Sequence, residues 1–246
     1  MFYRFWHFVI TGIARVLFGT RVRGRDRLPK TGVFVVAPSH RSTLDIPFAA
    51  SITWRRLRFM AKSEIFHGPF WTWVFDELGA VPVDRDGSDR AALQAMEAAL
   101  KDGEPIAVYP EGTRRQGPTI GPIFSGASYL AYRTNVPLVP VGVGGSEFPF
   151  RRWFGIPWFS RVSVVVGEPF LPVRAEGLRL RDAVAATDAE LLARIQACFD
   201  EACAWSDQRS RRSRLSAKQA AKRDARAAAR AAAASAVEAG EPGEGG

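Results

Sequence analysis

Apolar residues recur along the chain at the two spacings that mark secondary structure. Short β-branched and aromatic runs bounded by Gly or Pro read as buried strands over 33–37, 57–61, 79–83, 105–109, 136–143 and 162–166. Helical patterns fall between them at 43–54, 65–78 and 126–134. Another follows residue 85, with Ser88 or Asp86 as cap, Leu93, Met96 and Leu100 as its stripe and Gly103 as its stop. Thr187-Asp188-Ala189-Glu190 has the form of a capping box and opens a helix reaching about Trp205. Prolines bracket the 136–143 run, which suits a strand start or a sheet edge. Strands alternating with helices over 246 residues fit one large α/β domain with appendages, or two small domains.

The two ends depart from this pattern. Residues 1–19 are apolar and aromatic, interrupted by Arg4, His7 and Arg15. A spanning helix needs about 20 mostly uncharged residues. The arginines here, with Arg21, Arg23, Arg25 and Arg27 following, better suit a helix lying in the interface of an anionic leaflet; a core helix is the other reading. The stretch lacks a polar leading region and a small-residue cleavage site, so it is not read as a cleavable signal. Residues 207–230 hold nine basic and two acidic residues, and Glu and Gly follow to the end. With no apolar stripe to pack, this is a solvated, fraying helix or a disordered tail.

Composition narrows the partner. A net charge of +9 points to nucleic acid, an acidic membrane or a phosphorylated substrate. Two cysteines, Cys198 and Cys203, share one predicted helix at a spacing unlike a zinc knuckle, and a reduced environment is the default. The aromatics at 65–78 form a greasy groove wall, a second membrane-contacting surface or ordinary core. The aromatic and arginine loop at 148–159 covers a lipid groove or touches a bilayer.

Candidate chemistry sits where strands end. His40 follows the 33–37 strand and Asp45 lies in the next helix's first turn, so a strand-to-helix crossover brings them together. The carboxylate then accepts one ring proton and raises the basicity of the other nitrogen. The residues alone leave open a purely structural hydrogen bond at a helix start. The 105–109 strand runs into Pro110-Glu111-Gly112-Thr113-Arg114. That places a carboxylate, a permissive backbone and a phosphate-binding fork at the carboxyl edge of a sheet, or else in a solvated turn.

In order, the chain shows His40-Arg41-Ser42-Thr43-Leu44-Asp45, a strand ending in Asp84-Arg85, Tyr109 to Arg114, and Val136-Pro137-Leu138-Val139-Pro140. These four blocks resemble those of the glycerolipid acyltransferase family, specifically the 1-acyl-glycerol-3-phosphate acyltransferases, over roughly residues 21–170. Ser39 stands where an Asn often precedes the family's His. Phe124-Ser125-Gly126 stands where a basic residue is common. The resemblance implies a mixed, largely parallel sheet flanked by helices, with a membrane-docking N-terminal segment; with the composition of the tail this divides the chain into a membrane-interface helix at 1–20, an acyltransferase domain at 21–206 and a basic Ala/Arg-rich then Glu/Gly-rich tail at 207–246. It implies transfer of an acyl chain from acyl-CoA or acyl carrier protein to the sn-2 hydroxyl of 1-acyl-glycerol-3-phosphate, giving phosphatidic acid. His40 is then the general base and Asp45 its orienting partner. Arg114 and Arg85, with Lys62, bind the acceptor phosphate; Glu111 positions Arg114 or binds the glycerol; Gly112 and Thr113 complete the substrate edge. No metal or cofactor is implied beyond the thioester co-substrate. The expected place is the cytoplasmic face of the cell membrane, with no nucleic acid partner.

Three rivals remain. The same chemistry on glycerol-3-phosphate, another lysophospholipid or a lipid-like amine is one. A lipid hydrolase or thioesterase is another, although no Gly-x-Ser-x-Gly elbow occurs. A nucleic-acid-binding protein would use the tail, which leaves the four blocks unexplained.

Overall fold

The computed structural model describes residues 2–83, 89–147 and 161–209. Its elements run α1 (Phe2–Phe18), β1 (Arg21–Arg23), β2 (Val35–Pro38), α2 (Asp45–Ala50), β3 (Arg58–Lys62), α3 (Gly68–Glu77), β4 (Ala80–Val83), α4 (Asp89–Lys101), β5 (Ile106–Ala107), α5 (Gly126–Thr134), β6 (Leu138–Gly144), β7 (Ser163–Val166) and α6 (Leu180–Arg209). The strands form one sheet in the order β1-β7-β6-β2-β5-β3-β4. All neighbours are parallel except β6 and β7. This is the mixed, largely parallel sheet expected.

Alternation along β2 explains the layering. Val35 and Ala37 face one core, shared with Met96 and Leu100 of α4, Leu130 of α5, and Leu191, Ile195 and Phe199 of α6. Phe34 and Val36 face the other, shared with Ala14 and Phe18 of α1 and Phe48 of α2. A strand buried on both faces is apolar throughout rather than alternating, as parallel sheets require.

The β6 strand is internal to the sheet, not an edge. Pro140 lies one residue past the last β6–β7 pair, Val141 with Val166, and its carbonyl accepts the Gly167 N–H at 2.9 Å. Gly142 and Gly144 let α6 lie directly on β6. A Cβ on Gly142 would stand 2.2 Å from the Cys198 backbone, and one on Gly144 2.4 Å from that of Ala202.

Two helices differ from expectation. The 43–54 helix shrinks to the six residues of α2, because residues 41–44 are held as a turn by the Asp45 side chain. The capping box at Thr187 is no cap: α6 begins seven residues earlier, at Leu180. Thr187 is buried mid-helix, its hydroxyl donating to the Ala183 carbonyl at 2.8 Å and accepting from the Val173 N–H at 2.9 Å. The expected tail boundary falls within the last turn of α6, and the 148–159 loop and residues 210–246 lie outside the described residues.

Helix α1 packs on the core along one side and leaves apolar residues exposed along the other. His7, Ala14 and Phe18 are buried, and the His7 Nε2 lies 3.0 Å from the carbonyl of Ala50 in α2. Its other side leaves Phe5, Phe8, Ile13 and Val16 exposed, Val16 by 81%. Exposed Phe70, Trp71 and Trp73 of α3 adjoin it, the Trp73 ring lying 4.3 Å from that of Phe2. Among the described residues no helix is long and apolar enough to cross a membrane.

Candidate active site

The site forms where β2 ends between β5 and β6, at the carboxyl edge of the parallel strands. Ser39 is fully buried and ties this end to β6: its N–H donates to the Val141 carbonyl at 2.9 Å and its hydroxyl accepts from the Val143 N–H at 3.0 Å. His40 comes next, clamped by its own backbone. Its N–H donates to Glu111 Oε1 at 3.0 Å, and its carbonyl accepts from the Arg115 N–H at 3.0 Å. The ring is 4.5 Å from that of Tyr109.

The expected pair is formed. His40 Nδ1 lies 3.1 Å from Asp45 Oδ2, with the imidazole partly exposed and the carboxylate fully buried. The same oxygen accepts the N–H groups of Arg41 at 2.5 Å and Ser42 at 2.6 Å. One carboxylate oxygen therefore closes the turn that starts α2 and fixes the imidazole's orientation. This leaves Nε2 as the nitrogen free for chemistry. Burial, with the Asp45 charge beside it, pushes the Tyr109 phenol well above its ordinary value, so it stays neutral.

Placement of the other expected residues is mixed. Arg114 is exposed and donates to the Thr43 hydroxyl at 2.6 Å, three residues from His40 in the chain. Lys62 ends β3 at the same edge, exposed, with Glu64 at 3.6 Å. Its register partner is Val83, two residues before Arg85; Arg85 itself lies outside the described residues. Thr113 is exposed.

Glu111 corrects the expectation. It neither positions Arg114 nor reaches a glycerol, because its side chain is fully buried. It holds the His40 N–H and, through Oε2, that of Gly121 at 3.1 Å. Gly112 also serves packing. At φ +64° its N–H closes a turn onto the Tyr109 carbonyl at 3.1 Å, and the space a Cβ would take is filled by the Phe124 ring, 2.7 Å away.

Sequence reasoning missed Arg41 and Glu147. An arginine in the turn that follows a strand reads as a surface charge, yet this side chain is wholly buried. Nothing in the pattern signals it, since the burying partner, Phe199, is 158 positions away on α6. Among the described residues no group of three or more His, Cys, Asp or Glu is placed to hold a metal ion.

The carboxyl edge of this α/β sheet thus carries a histidine backed by a buried carboxylate, with the exposed Arg114 guanidinium on Thr43. A family model described as Acyltransferase matches residues 19–144, which include His40, Asp45, Glu111 and Arg114. The chain belongs to this acyltransferase family. The 1-acyl-sn-glycerol-3-phosphate acyltransferase of Bacillus subtilis is 26% identical over 198 residues, 79% of this chain and 95% of that protein. The lyso-ornithine lipid O-acyltransferase of Rhodobacter capsulatus is 32% identical over 128 residues, 52% of this chain and 45% of that protein. The crystal structure of the 1-acyl-sn-glycerophosphate acyltransferase PlsC from Thermotoga maritima shares the fold, with a TM-score of 0.62 at 22% identity over 79% of this chain and 80% of that one.

Proposed function

We propose that the protein transfers an acyl chain from a CoA or acyl carrier protein thioester to the sn-2 hydroxyl of 1-acyl-glycerol-3-phosphate, with His40 as general base. The observation that carries this reading is the 3.1 Å contact between His40 Nδ1 and the buried Asp45 carboxylate. His40 Nε2 takes the hydroxyl proton as the oxygen attacks the thioester carbonyl. Asp45 stabilises the imidazolium that results. The tetrahedral intermediate expels the thiolate, which recovers the proton from His40 and leaves as thiol. The alcohol attacks directly, so no protein nucleophile is needed. Burial pushes both cysteine thiols up to about 11, which suits bystanders.

Arg114 binds the acceptor phosphate, with Lys62 adding positive charge at the same edge and Arg85 as a further phosphate ligand. The Bacillus subtilis relative, matched over nearly its whole length, supports this acceptor. The Rhodobacter capsulatus relative supports a second reading, the same chemistry on a lyso-ornithine lipid. Helix α1 rests on the cytoplasmic leaflet of an anionic membrane, from which both lipid substrates arrive.

The test is thiol release from a long-chain acyl-CoA, with and without 1-acyl-glycerol-3-phosphate, for the natural protein and His40→Ala. Acceptor-dependent release that disappears in the variant is expected. Release without acceptor identifies a thioesterase, and release only with lyso-ornithine lipid selects the second acceptor.

A further inference from the structure

Arg41 stands next to His40, and no atom of its side chain reaches solvent. A phosphate ligand must be accessible, so Arg41 is not one. Its guanidinium is enclosed by four segments. Nη2 donates to the Thr119 carbonyl at 2.9 Å. Nη1 lies 3.8 Å from Glu111 Oε2 and Nε 3.8 Å from Glu147 Oε1. The Phe199 ring of α6 closes the remaining face at 4.5 Å. Among the described residues Nε and Nη1 have no hydrogen-bond partner, so the two carboxylates are held by charge rather than by fitted hydrogen bonds.

The consequence lies at His40. Glu111 accepts two backbone N–H groups, those of His40 and Gly121. A carboxylate buried this fully needs a positive neighbour. The Arg41 backbone meanwhile donates to Asp45 Oδ2. One residue thus touches both halves of the pair: its N–H holds Asp45, and its guanidinium faces the carboxylate that clamps His40.

We infer that Arg41 is a positioning residue for the His40–Asp45 pair, its buried guanidinium supplying the counter-charge that keeps Glu111 clamped on the His40 backbone. It also fastens the 111–121 loop and the Glu147 end of β6 to that clamp. This inference rests on the reading of His40 as the base.

The test compares R41M, R41K, E111Q and R41M/E111Q in the full chain by two readouts. The first is acyl-CoA-dependent transfer to 1-acyl-glycerol-3-phosphate; the second is hydrogen exchange of the His40 amide by NMR. Expected for R41M is a turnover loss of about 10- to 100-fold with the acceptor KM changed less than about twofold, as for other supporting residues. His40 amide exchange should rise at least about tenfold while the Val164 amide keeps its protection. R41K, which keeps the charge, should recover most of both. Adding R41M to E111Q should cost less than about threefold more, because the two act as one unit. A raised KM at unchanged turnover makes Arg41 a substrate contact and overturns the inference. So does unchanged His40 exchange, a fully additive double variant, or an R41K as impaired as R41M. Should R41M not fold, R41Q is read in its place, with the same outcomes. If the natural protein transfers nothing, the proposed function fails, and the exchange readout alone decides the role of Arg41.

Discussion

Arg114 and Arg41 are both arginines beside the same histidine, and their surroundings give them opposite duties. Arg41 is sealed among carboxylates and an aromatic ring, so its charge acts inward. Arg114 has an exposed guanidinium whose hydrogen bond goes to the neutral Thr43 hydroxyl, so its charge is available to a ligand anion. A charge-assisted hydrogen bond to phosphate contributes about 1.5–3 kcal/mol. Arg114→Ala should therefore raise the acceptor KM about 10- to 100-fold, with turnover at saturation much less affected. Steady-state kinetics against 1-acyl-glycerol-3-phosphate checks this; a fall in turnover alone would remove Arg114 from phosphate binding. The motif Glu-Gly-Thr-Arg was legible as chemistry, but not the split within it. Glu111 turns inward to serve the backbone, while Gly112, Thr113 and Arg114 stay at the surface, and only packing decides which.

Helix α6 shows the same limit at the scale of an element. Thr-Asp-Ala-Glu is a sound start signal, because a hydroxyl followed three residues later by a carboxylate can satisfy free N–H groups. Here the hydroxyl of Thr187 is drawn instead to the N–H of Val173, on the segment entering the helix. Glu190 pairs forward with Arg194 at 2.7 Å, and Asp188 accepts from Ser125 of the α5 cap at 2.6 Å. The helix begins earlier, where the N–H groups of Asp182 and Ala183 both donate to the Arg179 carbonyl at 3.0 Å. Thr187→Val strands a buried N–H and should cost about 1–3 kcal/mol of stability. Helix content by circular dichroism should stay unchanged. A denaturation midpoint equal to that of the natural protein, or a shortened helix, would show that Thr187 caps after all.

Across the whole molecule, α1 joins an exposed apolar surface to the core against α2. Deleting it would also remove Ala14 and Phe18 from the core against α2, so a deletion cannot separate docking from folding. Replacing the outward residues can. Phe5, Phe8 and Val16 changed together to Ser should weaken sedimentation with vesicles containing anionic lipid at least about tenfold, since each removes about 1.5–3 kcal/mol of burial. The thermal midpoint should hold, because none of the three is buried in the fold. Undiminished binding would move docking to α3 or the tail. Stability should also fall on the alkaline side. The folded Cys198 and Cys203 thiols sit at about 11 and the Tyr3 phenol at about 12, all raised chiefly by burial. The folded state therefore holds protons that the unfolded chain releases from about pH 8.5 upward. Their contribution is complete below that pH and lost as pH climbs to about 12. Denaturant midpoints measured between these limits should decline steadily; a flat profile would mean these groups are not desolvated.

What the sequence by itself determined was the alternation of strands and helices, the His40–Asp45 pair and the strand-end position of the Glu-Gly-Thr-Arg turn. Each depends on residues close in the chain, where apolar period and turn geometry act directly. Only the tertiary structure decided that Glu111 clamps His40 instead of meeting a substrate, that Arg41 is buried, that β6 is internal and that α6 starts before its capping signal. Those outcomes turn on partners far away in sequence, such as Phe199 over Arg41 and Cys198 against Gly142. Whether a polar group faces water or a neighbour is settled by which surfaces the sheet and helices press together, and no local pattern carries that information.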